Sequence, residues 1–167
     1  MKIAIYPGSF DPMTLGHLNI IRRASKIFDK VIVCIMINGT KKGSMFSIER
    51  RVEQAKICTA HLPNVEIDSY NGLLADYCRR FERPVVVKGL RANMDFENEF
   101  TMASINKKLN PDMETMFLTA SDKYTFVSSS NVKEIARHGG DLKAFLPWEL
   151  IDEVTEMARK EKEKNGI

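Results

Sequence analysis

Tyr6-Pro-Gly-Ser-Phe-Asp-Pro-Met-Thr-Leu-Gly-His17 is the stretch on which the reading of this chain turns. Ile3-Ala4-Ile5, just before it, is a short apolar run with β-branched residues, which predicts a buried strand ended by Pro7-Gly8. After it, Leu18, Ile21, Ala24, Ile27 and Phe28 recur at helical spacing, with Arg22, Arg23 and Lys26 turned elsewhere. A surface helix is therefore expected, with Thr14 as its N-cap and Gly16 and His17 in its first turn. A strand that feeds a glycine-containing turn opening a helix gathers free backbone N–H groups and the positive end of the helix dipole at one spot. That spot suits phosphate. The dipole also disfavours a cationic imidazole, so His17 is expected to be neutral and to donate one hydrogen bond to a phosphoryl oxygen. A histidine at such a place can also be a cap or a packing residue, and the motif alone does not separate these uses.

Composition sets the frame. The chain has 167 residues, 44% hydrophobic and 28% charged, which predicts an ordinary globular domain over 1–160 with a charged tail at 161–167. A net charge of +3 is too small to make a nucleic-acid-binding surface, and no basic stripe interleaved with aromatics is present. Cys34, Cys58 and Cys78 are odd in number and form no Cys-x-x-Cys pair, which argues against a disulfide framework or a zinc site and fits a reducing cytoplasm. The longest apolar run, Val31 to Ile37, is far short of a membrane span, so neither a membrane nor a nucleic acid is expected as partner.

Further strands are expected at Val31–Ile37, Val65–Tyr70, Pro84–Lys88 and Met116–Leu118. Helices are expected from Ser47 as N-cap to about His61, over Leu73–Phe81 and Met94–Leu109, and from about Asn131 to His138. Five strands alternating with helices make one doubly wound parallel α/β sheet, and the order 3-2-1-4-5 would set the turn after strand one beside Lys88-Gly-Leu-Arg91 at the switch point. Lys41 and Lys42 follow the second strand at the same edge, where ligands bind in such sheets, although a lysine pair in a loop is equally well a solvated one. Ser128, Ser129 and Ser130 open a helix and suit either phosphate or simple capping.

Gly8-Ser-Phe-Asp-Pro12 followed by Thr14-x-Gly-His17 resembles the first signature of the nucleotidyltransferase superfamily, with Thr in place of the usual first His. Two more signatures agree with it in order: Lys88-Gly-Leu-Arg91 with Asp95-Phe-Glu-x-Glu99, and Ser128-Ser-Ser-x-Val-Lys-Glu134 followed by Ala136-Arg-His-x-Gly-Asp141. With the Phe145-Leu-Pro147 ending, they resemble the phosphopantetheine adenylyltransferases over nearly the whole chain. The first motif is shared with nicotinate-mononucleotide adenylyltransferases and cytidylyltransferases; the Gly-Leu-Arg and triple-serine segments favour the pantetheine family.

The resemblance implies a Rossmann-like fold, transfer of AMP from ATP to 4′-phosphopantetheine to give dephospho-coenzyme A and pyrophosphate, Mg²⁺ accompanying ATP, and a homohexamer. It places Ser9, Phe10, His17, Gly89, Leu90, Arg91, Glu99 and the segment Tyr124, Thr125, Phe126, Val127, Ser128, Ser129 and Ser130 at the nucleotide. It places Ser9, Lys41, Leu74, Lys88 and Asn106 at phosphopantetheine. The catalytic roles it implies are His17 on the transferring phosphate, Lys41 on the attacking phosphate and Arg91 at the β/γ end of ATP. Such chemistry needs no protein nucleophile, because the attacking oxygen is already anionic and catalysis is positioning plus charge stabilisation. Three departures from the family pattern stand out: Lys88 where Arg is usual, Asn98 at a commonly aromatic position, and Gly43-Ser44 as a small insertion. Other phosphorylated acceptors, and a nucleotide-binding regulatory subunit without catalysis, are the competing readings.

Overall fold

The computed structural model describes residues 1–37, 43–91 and 93–165, apart from the side chains of 93–95 and 165. Lys41 and Lys42, and the Asn38-Gly39 pair expected to end the second strand, lie outside the described residues. The chain alternates as expected: β1 (Ile3–Gly8), α1 (Leu15–Ser25), β2 (Lys30–Met36), α2 (Ile48–Thr59), β3 (Val65–Tyr70), α3 (Leu74–Cys78), β4 (Val85–Leu90), α4 (Asn93–Leu109), β5 (Glu114–Thr119), α5 (Ser129–Arg137) and α6 (Ile151–Asn165). The five strands form one sheet, all neighbours parallel, in the order β3-β2-β1-β4-β5.

β2 is buried along Val31–Ile35 because helices cover both of its faces. One layer packs Ala4, Tyr6, Val31, Val33 and Val87 against α1, α2, α5 and α6; the other packs Ile5, Ile32, Cys34 and Val86 against Tyr77 and Cys78 of α3 and Met113. Helix starts follow local chemistry. Ser47 Oγ accepts from the Arg50 N–H, and Ser128 Oγ accepts from the Asn131 N–H at 3.1 Å. That second cap starts α5 at Ser129, two residues earlier than the apolar periodicity predicts, so Ser129 and Ser130 belong to its first turn. Helix α1 ends at Ser25, which leaves Ile27 54% exposed rather than on the buried face. Helix α3 is shorter than expected, its hydrogen bonds giving way to turns after Cys78. The charged residues from 161 onward continue α6 as helix to Asn165, and Glu161 pairs with Arg137 of α5 at 3.3 Å.

One difference from the sequence reading matters for the site. β1 does not stop at Ile5 but runs through Pro7 to Gly8, paired with β2 as far as Gly8–Ile35. Its pairing with β4 covers only Ala4–Val85 and Ile5–Val86. Beyond those pairs the two central strands continue without bonding to each other, and a crevice opens between Tyr6-Pro7-Gly8 and Val87 to Leu90. Pro7 lies where β1 has one ladder partner instead of two, so its missing N–H is tolerated.

Candidate active site

The crevice between β1 and β4 widens into a cleft of about 380 Å³. Its walls are the end of β1 with Ser9 and Phe10, the first turn of α1 with Gly16 and His17, Lys88 and Gly89 of β4 with Arg91 just beyond it, and residues from the segment Tyr124 to Ser130. Close approach explains Gly8: a Cβ there would sit 2.9 Å from the Phe10 ring. Phe10 itself holds φ 46°, and its ring packs edge-on against His17 with centroids 5.0 Å apart.

Thr14 and His17 cap the helix reciprocally. Thr14 Oγ1 accepts from the His17 N–H at 3.3 Å, and His17 Nδ1 accepts from the Thr14 N–H at 3.0 Å. Accepting that bond requires a bare Nδ1, which leaves the ring proton on Nε2. Burial, and then the neighbouring Arg91 guanidinium, push the His17 pKa down to about 4, so the neutral tautomer holds at pH 7. The expectation of a neutral imidazole agrees with this, and burial is its largest cause. Cap and ligand donor prove compatible uses of one ring, because capping occupies Nδ1 and leaves Nε2–H.

The remaining residues divide clearly. Arg91 Nη1 donates to the Val127 carbonyl at 3.2 Å, tying the turn after β4 to the segment before α5. Lys88 Nζ pairs with Glu99 Oε2 at 3.2 Å. Ser129 Oγ donates to the Pro12 carbonyl at 2.8 Å, so one serine is used for structure and Ser128 for the cap. Ser128, Ser129 and Ser130 all line the cleft, as do Tyr124 and Val127; Thr125, Phe126 and Leu90 do not. Phe126 is 66% exposed, and Thr125 Oγ1 donates back to the Ser121 carbonyl.

A second cavity, about 320 Å³, shares Pro7, Gly8, Ser9, Lys88 and Glu99 with the first and extends to Leu74 and Asn106. The residues assigned to the acceptor on sequence grounds therefore meet in one place, apart from Lys41, which lies outside the described residues.

Three supporting residues escaped the sequence reading. Asp11, only 6% exposed, accepts from the Met45 and Phe46 N–H groups, each at 2.9 Å, and pairs with Lys133 of α5 at 3.3 Å. Arg51, buried in α2, donates to the Ser9 carbonyl at 2.9 Å and to the Phe46 carbonyl at 3.1 Å. Together they lock the Ser9–Pro12 turn to α2 and α5. Asp11 stands inside the first quoted motif and could have been flagged as a buried acid, and Lys133 stands inside the third; nothing local marks Arg51.

The cytidylyltransferase-like family model matches residues 5–135, which contain the Tyr6–His17 motif, β4 and the triple serine. A phosphopantetheine adenylyltransferase of Clostridium botulinum (strain Alaska E43 / Type E3) is 50% identical over 159 residues, covering 95% of this chain and 99% of its own. The chain belongs to the phosphopantetheine adenylyltransferase family. Another phosphopantetheine adenylyltransferase, from Caldanaerobacter subterraneus subsp. tengcongensis, is 49% identical over 160 residues, covering 96% of this chain and 99% of its own. The fold is wider than this adenylyltransferase family. A nicotinic acid mononucleotide adenylyltransferase of Plasmodium falciparum, solved with APC, aligns with TM-score 0.65 at 14% identity over 96% of both chains.

Proposed function

We propose that this protein transfers AMP from ATP to 4′-phosphopantetheine, giving dephospho-coenzyme A and pyrophosphate. The observation that carries the reading is the pair of cavities sharing Ser9 and the Lys88–Glu99 pair as a common wall, one lined by backbone and serine donors with His17 and Arg91, the other reaching Leu74 and Asn106. Two phosphorylated substrates bound on either side of that wall would bring the acceptor phosphate to the α-phosphate of ATP.

His17 Nε2–H donates to the transferring phosphate and stabilises charge that grows there in the transition state. Arg91 neutralises the β/γ end of ATP and Lys41 the attacking phosphate, while Ser9 and Lys88 hold phosphate at the shared wall. The carboxylate that lines the cleft among the described residues is Glu99, already paired with Lys88, and these residues contain no group of three or more His, Cys, Asp or Glu able to cage a metal. Mg²⁺ accompanying ATP is part of the proposal, and it would supply positive charge to the phosphates.

A homohexamer is part of the proposal, supported by exposed apolar side chains on two sides of α4, Phe96 and Phe100 on one and Met102, Ile105 and Leu109 on the other. A cytoplasmic site is supported by three free, buried cysteines. The test is release of pyrophosphate from ATP with phosphopantetheine, set beside nicotinate mononucleotide and glycerol phosphate as acceptors. Turnover confined to phosphopantetheine is expected. Turnover with another acceptor alone would replace the assignment, and tight ATP binding without turnover on any acceptor would make the chain a regulatory subunit.

A further inference from the structure

Tyr6 is the first residue of β1 beyond its last pair with β4, on the α1 side of the sheet. It is 6% exposed and lines the nucleotide cleft. Its ring packs edge-on against Phe10, with centroids 5.4 Å apart, and tilted against His17 at 6.4 Å. Its hydroxyl stands 4.0 Å from where a Cβ on Gly89 would lie, on the floor between the two separated strands. That hydroxyl has no hydrogen-bond partner among the described residues. The buried side-chain oxygens and nitrogens left unpartnered among these residues are Asn19 Oδ1 and Gln54 Oε1, so the Tyr6 hydroxyl meets open space in the cleft instead.

A phenol that is otherwise buried normally satisfies its O–H. Here the packing of Phe10, His17 and Gly89 holds the ring in place and leaves that donor for whatever fills the cleft. We propose that the Tyr6 hydroxyl is a further ligand-binding group, donating a hydrogen bond to a phosphate oxygen of the bound nucleotide. The inference rests on the functional reading above and adds to it a contact from the strand floor.

The choice of phosphate follows from what surrounds the phenol. Arg91 acts on it as a cation, and His17 presents a donor from the adjacent turn. Glu99 also acts on it, but its carboxylate is held by Lys88. A cluster of donors and cations is completed by an anionic oxygen. Burial raises the Tyr6 pKa well above the ordinary phenol range, so the group remains a donor throughout the working pH range.

Tyr6→Phe removes the hydroxyl and keeps the ring, so the packing on Phe10 and His17 survives and an unchanged melting temperature verifies it. Calorimetric titration of the full chain with ATP and with adenosine separates a phosphate contact from a ribose or base contact. The expected result is a rise in the ATP dissociation constant of about tenfold or more, the range for a hydrogen bond to a charged group, with adenosine unaffected. An unchanged ATP affinity, or an equal loss for adenosine, would overturn the inference and leave the functional reading standing. Failure of the wild-type chain to bind ATP would remove both.

Discussion

Replacing Asp11 by Ala tests how the Ser9–Pro12 turn is held. The Asp11 carboxylate is 6% exposed and receives three donors: the Met45 and Phe46 N–H groups, each at 2.9 Å, and Lys133 Nζ at 3.3 Å. Removing it strands two backbone N–H groups and leaves the Lys133 ammonium, on a side chain 18% exposed, without its counter-charge. An unsatisfied buried donor costs about 1–3 kcal/mol, and breaking a buried ion pair from one side about 3–5 kcal/mol. These costs overlap, because the same carboxylate serves all three donors, so the expected loss is about 3–5 kcal/mol. Against a total of roughly 5–15 kcal/mol for a domain, the variant should fold but sit near its limit. Urea unfolding followed by far-ultraviolet circular dichroism reads the effect as a lower midpoint at unchanged slope. Lys133→Met, which keeps both backbone bonds, should cost less than Asp11→Ala. The double variant should lose less than the two single losses added, by about 0.5 kcal/mol or more. A loss below about 1 kcal/mol for Asp11→Ala, or strict additivity with Lys133→Met, would refute the view that this carboxylate clamps the turn to α2 and α5.

Other expectations follow from the site. His17→Ala should retain ATP binding while turnover falls roughly 10²–10³-fold, as for one lost oxyanion donor, and wild-type turnover would sink the assignment. Because the His17 pKa falls from 6.5 to about 4 on folding, the unfolded chain binds more protons between those values. Its contribution to stability is therefore complete above pH 6.5 and is lost as pH falls toward 4; a wild-type urea midpoint that declines no faster across this window than that of His17→Ala would contradict the shift. Lys88→Arg offers a fork where Lys offers a point charge, so KM for the acceptor should fall by about threefold or more with kcat preserved, and an unchanged KM would count against Lys88 holding the acceptor phosphate.

Much of this molecule is legible in its sequence because the decisive signals are local. The apolar run at Val31–Ile35 marks a strand covered on both faces, Thr14, Ser47 and Ser128 announce helix starts, and alternation of strands with helices restricts the sheet to a few orders. The motif from Tyr6 to His17 is legible as a strand, a glycine turn and a helix N-terminus because the three are contiguous in the chain. Their chemistry needs no distant partner to be inferred.

Tertiary structure decided what contiguity cannot reach. Only the register of β1 against β4 reveals that the two strands part after Ile5 and Val86, and that parting makes the crevice and exposes the Tyr6 hydroxyl. Lys133 is 122 residues from Asp11 and Arg51 is 42 from Ser9, separations at which no periodicity or spacing carries information. The state of His17 divides the same way. Its place in the first turn follows from sequence, whereas its pKa of about 4 depends on burial and on Arg91, brought beside it by a neighbouring strand. Local propensity specifies elements and their ends; hydrogen-bond register and long-range charge pairing, which exist only once the sheet has formed, specify the site.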